Sequence, residues 1–418
     1  GDYGGALHIY GGEGVTLDTC TFSSNSASMA LYGGGSIRAD SVTDLLITGC
    51  TLTGNTAPVG GGVTLYHCTG SLLENTSFDG NHASDSWSID YCDSSYELVR
   101  GAGGGLFLDG GDARISECAF AGNHAVHSGG CNCNHPDYKY FLGVGGGFFA
   151  RDAALDIVGS TFSNNQAEHP GTGCLAGSGG GGAAYETTVR MVNTHFWSNA
   201  ASVDLNALNI CMAGGGGGFW SYWNTEVKLA NCAFAGNSAS DGGAGLFFSN
   251  STAHLYGVAA TANSGSYYGS GAYLDSGSLY VYNSIFWGNA GTSPSYSQVS
   301  LGYGGGCASY RKLFTYFTDI YNTPTGDGCL PDCTGSYGAC VKPRHFDPGF
   351  VNPLADPPDL RLQSGGAAVN AGSNDPAHQA ADWLDIDNDG DTTEAVPFDP
   401  DGHPRRTGII DLGAYERP

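Results

Sequence analysis

Short apolar runs alternate with turns rich in Gly, Asn and Asp up to about residue 322, and one polar–apolar phrase recurs among them. The phrase is a small residue or Cys, one spacer, an apolar residue that is usually Phe, two spacers, Asn, one spacer and Ala. It occurs nine times, the last two copies being looser, and begins at Cys20, Cys50, Thr76, Cys118, Ser160, Thr194, Cys232, Val258 and Ser284. Successive Asn residues lie 30, 26, 42, 42, 34, 38, 26 and 26 positions apart, so the basic unit has 26 residues. A period of this size indicates a repeat architecture.

Each unit predicts three short strands bounded by turn residues, since no segment shows a helical apolar period over ten or more residues. A single unit cannot bury its apolar face, whereas stacked units pair their backbones and form one continuous core. The repeat therefore predicts an all-β solenoid, a parallel β-helix of about nine to eleven rungs. Like residues then lie above like, with Phe stacked inside and Asn bonded along a ladder at a turn. A β-sandwich with Gly-rich hairpins is the alternative, but it does not explain the fixed Phe-x-x-Asn spacing.

The longer intervals contain inserts, most of which fall between the Ala of the phrase and a Gly cluster. We expect the Gly clusters to supply positive φ angles and close backbone packing at a second corner of the coil. The pattern fades after Asn322. We predict repeats over residues 1–322, a Cys-rich connection over 323–345 and a C-terminal capping module over 346–418. The sequence begins inside a rung, so we expect self-association through that rung, because an open strand edge is a template for pairing.

Charge narrows the choice of partners. The chain has 15 Lys and Arg against 40 Asp and Glu, a formal net charge of −25. This balance argues against nucleic acid, whose phosphates need cationic side chains, and against anionic membranes. It suits calcium, cationic partners or neutral glycans. The sequence contains no signal peptide and no transmembrane run, so no membrane insertion is predicted.

Fourteen Cys residues are unusually many for a reducing compartment, which favours a secreted or cell-surface protein. We predict that disulfides join the long inserts and the Cys-rich connection, with the candidates Cys131, Cys133, Cys174, Cys211, Cys307, Cys329, Cys333 and Cys340. Cys68 and Cys92 also fall in predicted inserts. A metal site at Cys131 and Cys133 with His135 is the alternative, although the spacing is tighter than the usual Cys-x-x-Cys. Cys20 and Cys50 share one rung position and are either a bridge or small buried core residues.

One acidic segment near the C-terminus predicts a structural Ca²⁺ site. Carboxylates alternate with spacers around a Gly that permits a sharp turn, and oxygens at alternate positions of such a loop converge on a hard cation. The EF-hand pattern would place Glu at the position of Val396, so another type of calcium loop is also open, as is a solvated acidic turn. The predicted ligands are Asp385, Asp387, Asp389, Asp391 and Glu394. The second acidic segment, Asp399 to Gly402, is interpreted as a turn paired to Arg405 or Arg406.

Aromatic residues gather on a few rungs, and exposed rings along a β-helix face could stack on sugars. The candidates for carbohydrate binding are Trp197, Trp220, Tyr222, Trp223 and Trp287. Trp197 and Trp287 each follow the buried Phe of a phrase, so we expect them to point outward. The alternative is that these rings pack beneath the long inserts.

Two parts of the chain resemble known families. The Gly-Gly turns and Phe-x-x-Asn rungs resemble right-handed parallel β-helix proteins, including the polymorphic outer-membrane protein repeats and the wider pectin-lyase-like superfamily. The phrase Asp399-Pro400-Asp401-Gly402-x-Pro404-Arg405 with Asp411-Leu412-Gly413-Ala414-Tyr415-Glu416 resembles the terminal module of secreted bacterial choice-of-anchor Q proteins. Together the resemblances cover nearly the whole chain. They imply a right-handed coil and a secreted or cell-surface bacterial protein. They do not decide whether the protein is an enzyme, because the fold hosts lyases, hydrolases, adhesins and inert stalks.

The sequence shows no convincing catalytic set. Glycoside hydrolysis needs two carboxylates at a fixed separation, and pairs such as Asp109 and Asp112 lie at turns, where Asp is common. His82 and His124 share one repeat position and are interpreted as ladder residues. We therefore expect a structural or adhesion protein, braced by disulfides and calcium, that forms filaments or surface layers. A polysaccharide lyase or glycoside hydrolase, or a passive carbohydrate-binding protein, is the alternative.

Overall fold

The structure, a computed structural model, describes residues 2–28, 33–87, 98–129, 140–170, 177–203, 214–266, 269–291, 298–302, 310–320, 338–341, 344–406 and 408–417. The chain is all-β, with 51 % of residues in strands and 1 % in helix. The strands form parallel sheets in a nearly closed solenoid. No helix among the described residues is long and apolar enough to cross a membrane.

Three parallel sheets, here called A, B and C, form the walls of the solenoid, and the chain visits them in that order in each repeat. The strands of sheet A are Leu7–Tyr10, Thr16–Asp18, Ile37–Asp40, Leu46–Thr48, Val63–Glu74, Leu106–Ser116, Phe148–Val158, Gly182–Tyr185, Thr188–Val192, Phe219–Tyr222, Glu226–Ala230, Leu246–Ser249, Ser251–Tyr256, Ala272–Leu274, Gly277–Tyr282, Val299–Leu301, Arg311–Tyr316 and Gly338–Val341. Sheet B comprises Thr21–Ser23, Thr51–Thr53, Ser77–Asp79, Ala119–Ala121, Thr161–Ser163, His195–Trp197, Ala233–Ala235, Ala259–Thr261, Ile285–Trp287 and Asp319–Ile320. Sheet C comprises Thr56–Ala57, His82–Asp85, His124–His127, Gln166–His169, Ala200–Val203, Ser238–Ala239, Ser264–Gly265 and Ala290–Gly291.

Among the described residues, two strand pairs and a short helix lie outside the walls. Leu98–Arg100 and Tyr140–Leu142 form a short parallel pair within the inserts. Phe350–Asn352 and Asp359–Leu362 form an antiparallel pair, and Pro376–His378 is a 3₁₀ helix.

The Phe of the repeated phrase forms the predicted stack inside the solenoid. The rings of Phe78, Phe120, Phe162, Phe196 and Phe234 lie 4.2–4.9 Å apart between centroids and are close to parallel. All five side chains are buried. Side chains alternate across a strand, so the residues on either side of each Phe face outward.

The Asn of the phrase forms the predicted ladder. Asn165 is representative: its Nδ2 donates to Phe120 O at 2.9 Å and to Asn199 Oδ1 at 2.9 Å. Its Oδ1 accepts from the backbone N of Asn123 at 2.9 Å and from Asn123 Nδ2 at 3.0 Å. The ladder ends at Gln298, whose Oε1 accepts from Asn289 Nδ2 at 2.7 Å. Each internal amide therefore bonds to the rungs on both sides.

The Gly clusters occupy a corner where neighbouring rungs approach too closely for a side chain. A Cβ placed on Gly105, Gly147, Gly181 or Gly218 would lie 2.2–2.6 Å from the carbonyl oxygen of the next rung. Gly179, in the same corner, has a φ of +71°. Both predicted roles of the Gly clusters, positive φ and close packing, are confirmed.

The outer side of sheet A carries a second apolar cluster beneath the inserts. It contains Phe107, Phe149, Tyr185 and Trp220, and Phe141 of the insert strand packs on it with its ring centroid 4.6 Å from that of Tyr185. The inserts thus bury the aromatic rings on the outer side of sheet A, whose neighbours along each strand face the core.

Residues from Phe346 onward, here called the cap, pack on the outer faces of sheets A and B. Phe350, Leu360 and Leu412 contact Ala233 and Ile285 of sheet B. Asn residues at turns of the solenoid anchor the cap through further hydrogen bonds, in the pairs Asn193 Nδ2 to Asp399 O at 3.3 Å, Asn231 Nδ2 to Phe398 O at 3.0 Å and Asn283 Nδ2 to Ser373 O at 3.1 Å. The domain boundaries themselves stay a prediction.

The C-terminal phrase is a self-contained polar network. Asp399 Oδ1 accepts from the backbone N of Asp401 and of His403, and its Oδ2 accepts from the backbone N of Glu416. Arg405, 3 % exposed, donates to the carbonyl oxygens of Asp411 and Gly413. The segment at Asp399 is therefore a turn, as predicted, although its carboxylate accepts hydrogen bonds from backbone N–H groups rather than from Arg405 or Arg406.

Candidate metal centre

The acidic loop is closed at its neck by backbone pairing. Ala381 and Ala395 form an antiparallel bridge, and the backbone N of Asp382 donates to Glu394 O at 2.8 Å. Between these ends the chain turns sharply, with φ angles of +47° at Asp385 and +87° at Gly390. Two residues that lie twelve positions apart, Asp382 and Glu394, are thereby brought together.

One group of carboxylates lies at this neck and is here called the inner triad: Asp382, Asp387 and Glu394. Their ligand oxygens lie within 4.8 Å of one another. Asp382 is completely buried; its Oδ2 accepts from the backbone N of Ile386 at 2.9 Å, while its Oδ1 has no hydrogen-bond partner. Glu394 Oε1 is likewise buried without a partner. Sequence analysis missed Asp382, because it stands before the alternating motif.

A second group, here called the outer triad, consists of Asp385, Asp387 and Asp389. Its ligand oxygens also lie within 4.8 Å of one another, and its members are half-buried or exposed. Asp391 is bonded elsewhere: its Oδ1 accepts from the Thr393 hydroxyl at 2.6 Å and from the Thr393 backbone N at 2.9 Å. Among the predicted ligands, the structure thus groups Asp385, Asp387, Asp389 and Glu394 and leaves Asp391 outside both triads.

The electrostatics of the loop favour a bound cation. Burial raises the pKa of Asp382, and the charges of Asp387 and Asp385 raise it further. Desolvation and the neighbouring carboxylates likewise raise the pKa of Glu394. Carboxylate oxygens without partners are costly in a buried site unless a proton or a cation neutralises them. An all-oxygen donor set fits a hard cation such as Ca²⁺, whose ligands lie at about 2.3–2.6 Å and so up to about 5 Å apart across the ion.

The loop is also where the cap meets sheet A. Leu384 and Val396, which flank the neck, pack with Ala380 against Val158 and Val192 of the solenoid. Trp383 and Ile386 pack at the margin of the same cluster. The residues that hold the carboxylates together and the residues that dock the cap therefore alternate along one short segment.

The predicted sugar-binding aromatics do not form one exposed face. Trp220 is 1 % exposed because it packs in the cluster beneath the inserts, which removes the accessible ring that sugar binding needs. Trp287 packs against the cap and Trp197 is half-buried beside it. Tyr222 stacks on Trp220 with 5.3 Å between ring centroids. Trp223, 41 % exposed, retains an open surface.

Two aromatic rows that sequence analysis missed follow sheet A. His254, Tyr280 and Phe314 are stacked with 4.5 Å and 4.9 Å between ring centroids. The second row comprises Tyr256, Tyr282 and Tyr316. Tyr256 and Tyr282 lie one 26-residue unit apart, so their spacing in the sequence could have predicted that they stack on neighbouring rungs.

The side chains of all eight disulfide candidates fall outside what the structure describes. Cys131, Cys133, Cys174, Cys211, Cys307, Cys329 and Cys333 lie in segments that the structure does not describe, and only the backbone of Cys340 is described, in a strand. Their pairing stays a prediction. Cys20 and Cys50 are free thiols and form no bridge; Cys50 is buried in the core, and Cys20 is partly buried against it. Cys68 lies in a strand and is buried in the core, which corrects its assignment to an insert.

Histidines on sheet C confirm the ladder interpretation. His82 Nε2 lies 2.9 Å from His124 Nδ1 on the next rung, and His124 Nε2 lies 3.2 Å from Glu168 Oε2. Asp109 accepts two hydrogen bonds from Arg151, at 2.8 Å and 2.7 Å. These side chains are therefore bound to neighbouring rungs.

A cleft of about 500 Å³ opens where the cap meets sheets A and B. Glu117, Thr161, Asn193, His195 and Phe398 are among the residues that line it. Partial burial raises the pKa of Glu117, and burial lowers the pKa of His195 to about 4. His195 Nε2 lies 3.0 Å from the Tyr415 hydroxyl of the cap. The lining of the cleft thus includes a residue whose carboxyl group has a raised pKa.

Models of known protein families and the curated proteins were compared with this sequence, and none matches it.

Proposed function

We propose that this chain is a secreted or cell-surface structural protein, an adhesion or scaffold component built on a right-handed parallel β-helix of about nine to eleven rungs. Ca²⁺ bound by the acidic loop braces its cap, and disulfides brace its inserts. Self-association into filaments or surface layers, and contact with glycans, belong to the same proposal.

The observation that supports it is how the recurring polar side chains are used. The amides of Asn123, Asn165 and Asn199 are committed to neighbouring rungs, and Asp109 is paired with Arg151. A side chain whose hydrogen bonds all go to its neighbours holds the stack together and is not available to a substrate. The repeats are thus suited to a stiff stalk.

The structural proposal is tested on the purified full chain by negative-stain electron microscopy, light scattering and a screen for product release from neutral and acidic glycans. We expect rod-shaped particles, alone or joined end to end, and no product. Catalytic release of oligosaccharides would overturn the proposal.

The calcium part has its own test. We expect the melting temperature to fall on addition of a chelator and to return with excess Ca²⁺, since an ion that binds only the folded state stabilises it. An unchanged melting temperature, with no Ca²⁺ bound at equilibrium, would count against the loop as an ion site.

The cleft favours a second candidate, a glycoside hydrolase or polysaccharide lyase. A carboxyl group of raised pKa is suited to general acid catalysis. Glu117 has this property, whereas both carboxylate oxygens of Asp399 are bonded to backbone N–H groups. If the screen detects product, Glu117→Gln is expected to abolish it, and Asp112→Asn, outside the cleft lining, serves as the control.

A further inference from the structure

We propose that the acidic loop holds two hard divalent cations, an inner one bound by Asp382, Asp387 and Glu394 and an outer one bound by Asp385, Asp387 and Asp389. The inner ion fastens the cap to the solenoid. This inference rests on the proposed calcium site. It adds a second ion and assigns a structural role to the inner one.

The inner site stands on two unpartnered oxygens. Asp382 is fully buried, and one of its carboxylate oxygens lies within 4.8 Å of the ligand oxygens of Asp387 and Glu394. Its Oδ1 has no hydrogen-bond donor, while Oδ2 accepts from the backbone N of Ile386. Glu394 supplies a second buried, unpartnered oxygen from the opposite end of the loop. A folded protein rarely buries carboxylate oxygens without a partner, so a ligand with positive charge is the simplest completion of this site.

Asp387 connects the two sites. It belongs to both triads, and within each triad the ligand oxygens lie within 4.8 Å of one another. A carboxylate has two oxygens and can therefore serve two cations, which in two-metal sites lie about 3.5–4 Å apart. The five carboxylates of the two triads repel one another, and two divalent charges neutralise most of that repulsion.

The position of the inner site gives it a structural consequence. Asp382 and Glu394 lie at the neck, next to the bridge between Ala381 and Ala395. Leu384 and Val396, close to them along the chain, are buried against Val158 and Val192 of sheet A. An ion that ties Asp382 to Glu394 therefore holds the two apolar arms of the loop in their docked positions. The outer triad is more open to solvent, since Asp387 and Asp389 are exposed and Asp385 is half-buried.

The test is calorimetric titration of Ca²⁺ into the full chain after chelation, for wild type and four variants. We expect two ions for wild type, one for Asp382→Asn, one for Asp389→Asn and none for Asp387→Asn. Asp391→Asn is the matched control within the loop, because Asp391 is bonded to Thr393, and it should still bind two. Glu394→Gln tests the inner site from the other end of the loop if Asp382→Asn does not fold.

Hydrogen–deuterium exchange separates the two ions by their effect. Ca²⁺ should protect the amides of residues 380–396 in wild type and in Asp389→Asn, and this protection should be lost in Asp382→Asn. If wild type binds a single ion and Asp382→Asn still binds it, the inner site is overturned. The proposal that Ca²⁺ bound by the loop braces the cap would then still stand. Wild type that binds no Ca²⁺ would overturn both. Two ions with equal protection in Asp382→Asn would overturn the fastening of the cap.

Discussion

At the scale of single residues, the solenoid depends on side chains whose hydrogen bonds reach both neighbouring rungs. Asn165 is fully buried, and its amide has four hydrogen bonds, to Asn123, Phe120 and Asn199. Replacing it with Ala strands these donors and acceptors in an interior that water does not reach. Each buried polar group left without a partner costs about 1–3 kcal/mol.

Asn165→Ala is therefore expected to lower the free energy of unfolding by at least about 3 kcal/mol. Asn164, the preceding residue, is exposed and has a φ of +54°, so Asn164→Gly is the matched control. It should change stability by no more than about 0.5 kcal/mol. Chemical denaturation followed by circular dichroism measures both. Equal, small effects of the two substitutions would contradict the ladder's role in stability.

The sequence predicted the roles of Phe and Asn because both follow from position within the repeat. It did not predict Asp382, whose contribution depends on the bridge between Ala381 and Ala395 rather than on the alternating motif that begins at Asp385. For Trp220 the sequence was compatible both with an exposed ring and with a ring buried beneath an insert. An insert packs on its cluster, and inserts follow no period that a sequence pattern could reveal.

At the scale of elements, the Gly corner sets how closely successive rungs can stack. A Cβ on Gly181 would lie 2.5 Å from Gly218 O and 2.6 Å from Phe196 Cδ1. One contact is backbone and the other is the core Phe stack, so neither side can move without disturbing several rungs. Overpacking of this kind costs about 1–3 kcal/mol or more.

We expect Gly181→Ala to lower the free energy of unfolding by about 2 kcal/mol and to lower the melting temperature with it. Gly408→Ala in the cap is the control, since the nearest atom to its Cβ would be Asn370 Oδ1 at an ordinary 3.5 Å. Thermal unfolding of the two variants side by side gives the comparison. If Gly181→Ala were as stable as wild type, the close approach would not be a constraint on this corner.

The basic unit of 26 residues predicted the stacked strands because every rung must return to the same three walls. The long strands Val63–Glu74, Leu106–Ser116 and Phe148–Val158 were not foreseen, since each reads in sequence as two apolar runs with a turn between them. Ala113 pairs with Ser71 and Gly111 with Cys68, so the register shifts by one residue in this region. A turn pattern in sequence thus corresponds here to a bent strand that stays paired.

At the scale of the whole molecule, the cap covers part of sheet B and brings titratable groups into that interface. His195, which faces outward on sheet B, lies 3.0 Å from the Tyr415 hydroxyl, and His195 and Trp197 have ring centroids 6.1 Å apart. Burial lowers the pKa of His195 to about 4, below its ordinary value of 6.5. The folded protein therefore favours the neutral ring.

The lowered pKa of His195 determines the direction in which the stability of the folded protein changes with pH. The unfolded chain takes up a proton at His195 as pH falls below about 6.5, whereas the folded protein does so only near pH 4. The stability that His195 contributes is complete above pH 6.5 and is lost as pH falls toward 4, about 2 kcal/mol of it by pH 5.

His195→Gln removes the titrating ring and keeps a side chain able to bond to Tyr415. Urea unfolding at pH 7.5 and pH 5.0 should then show a smaller loss for His195→Gln than for wild type, with exposed His67→Gln as the control. A loss of equal size in wild type and His195→Gln would mean that protonation of His195 does not oppose docking of the cap.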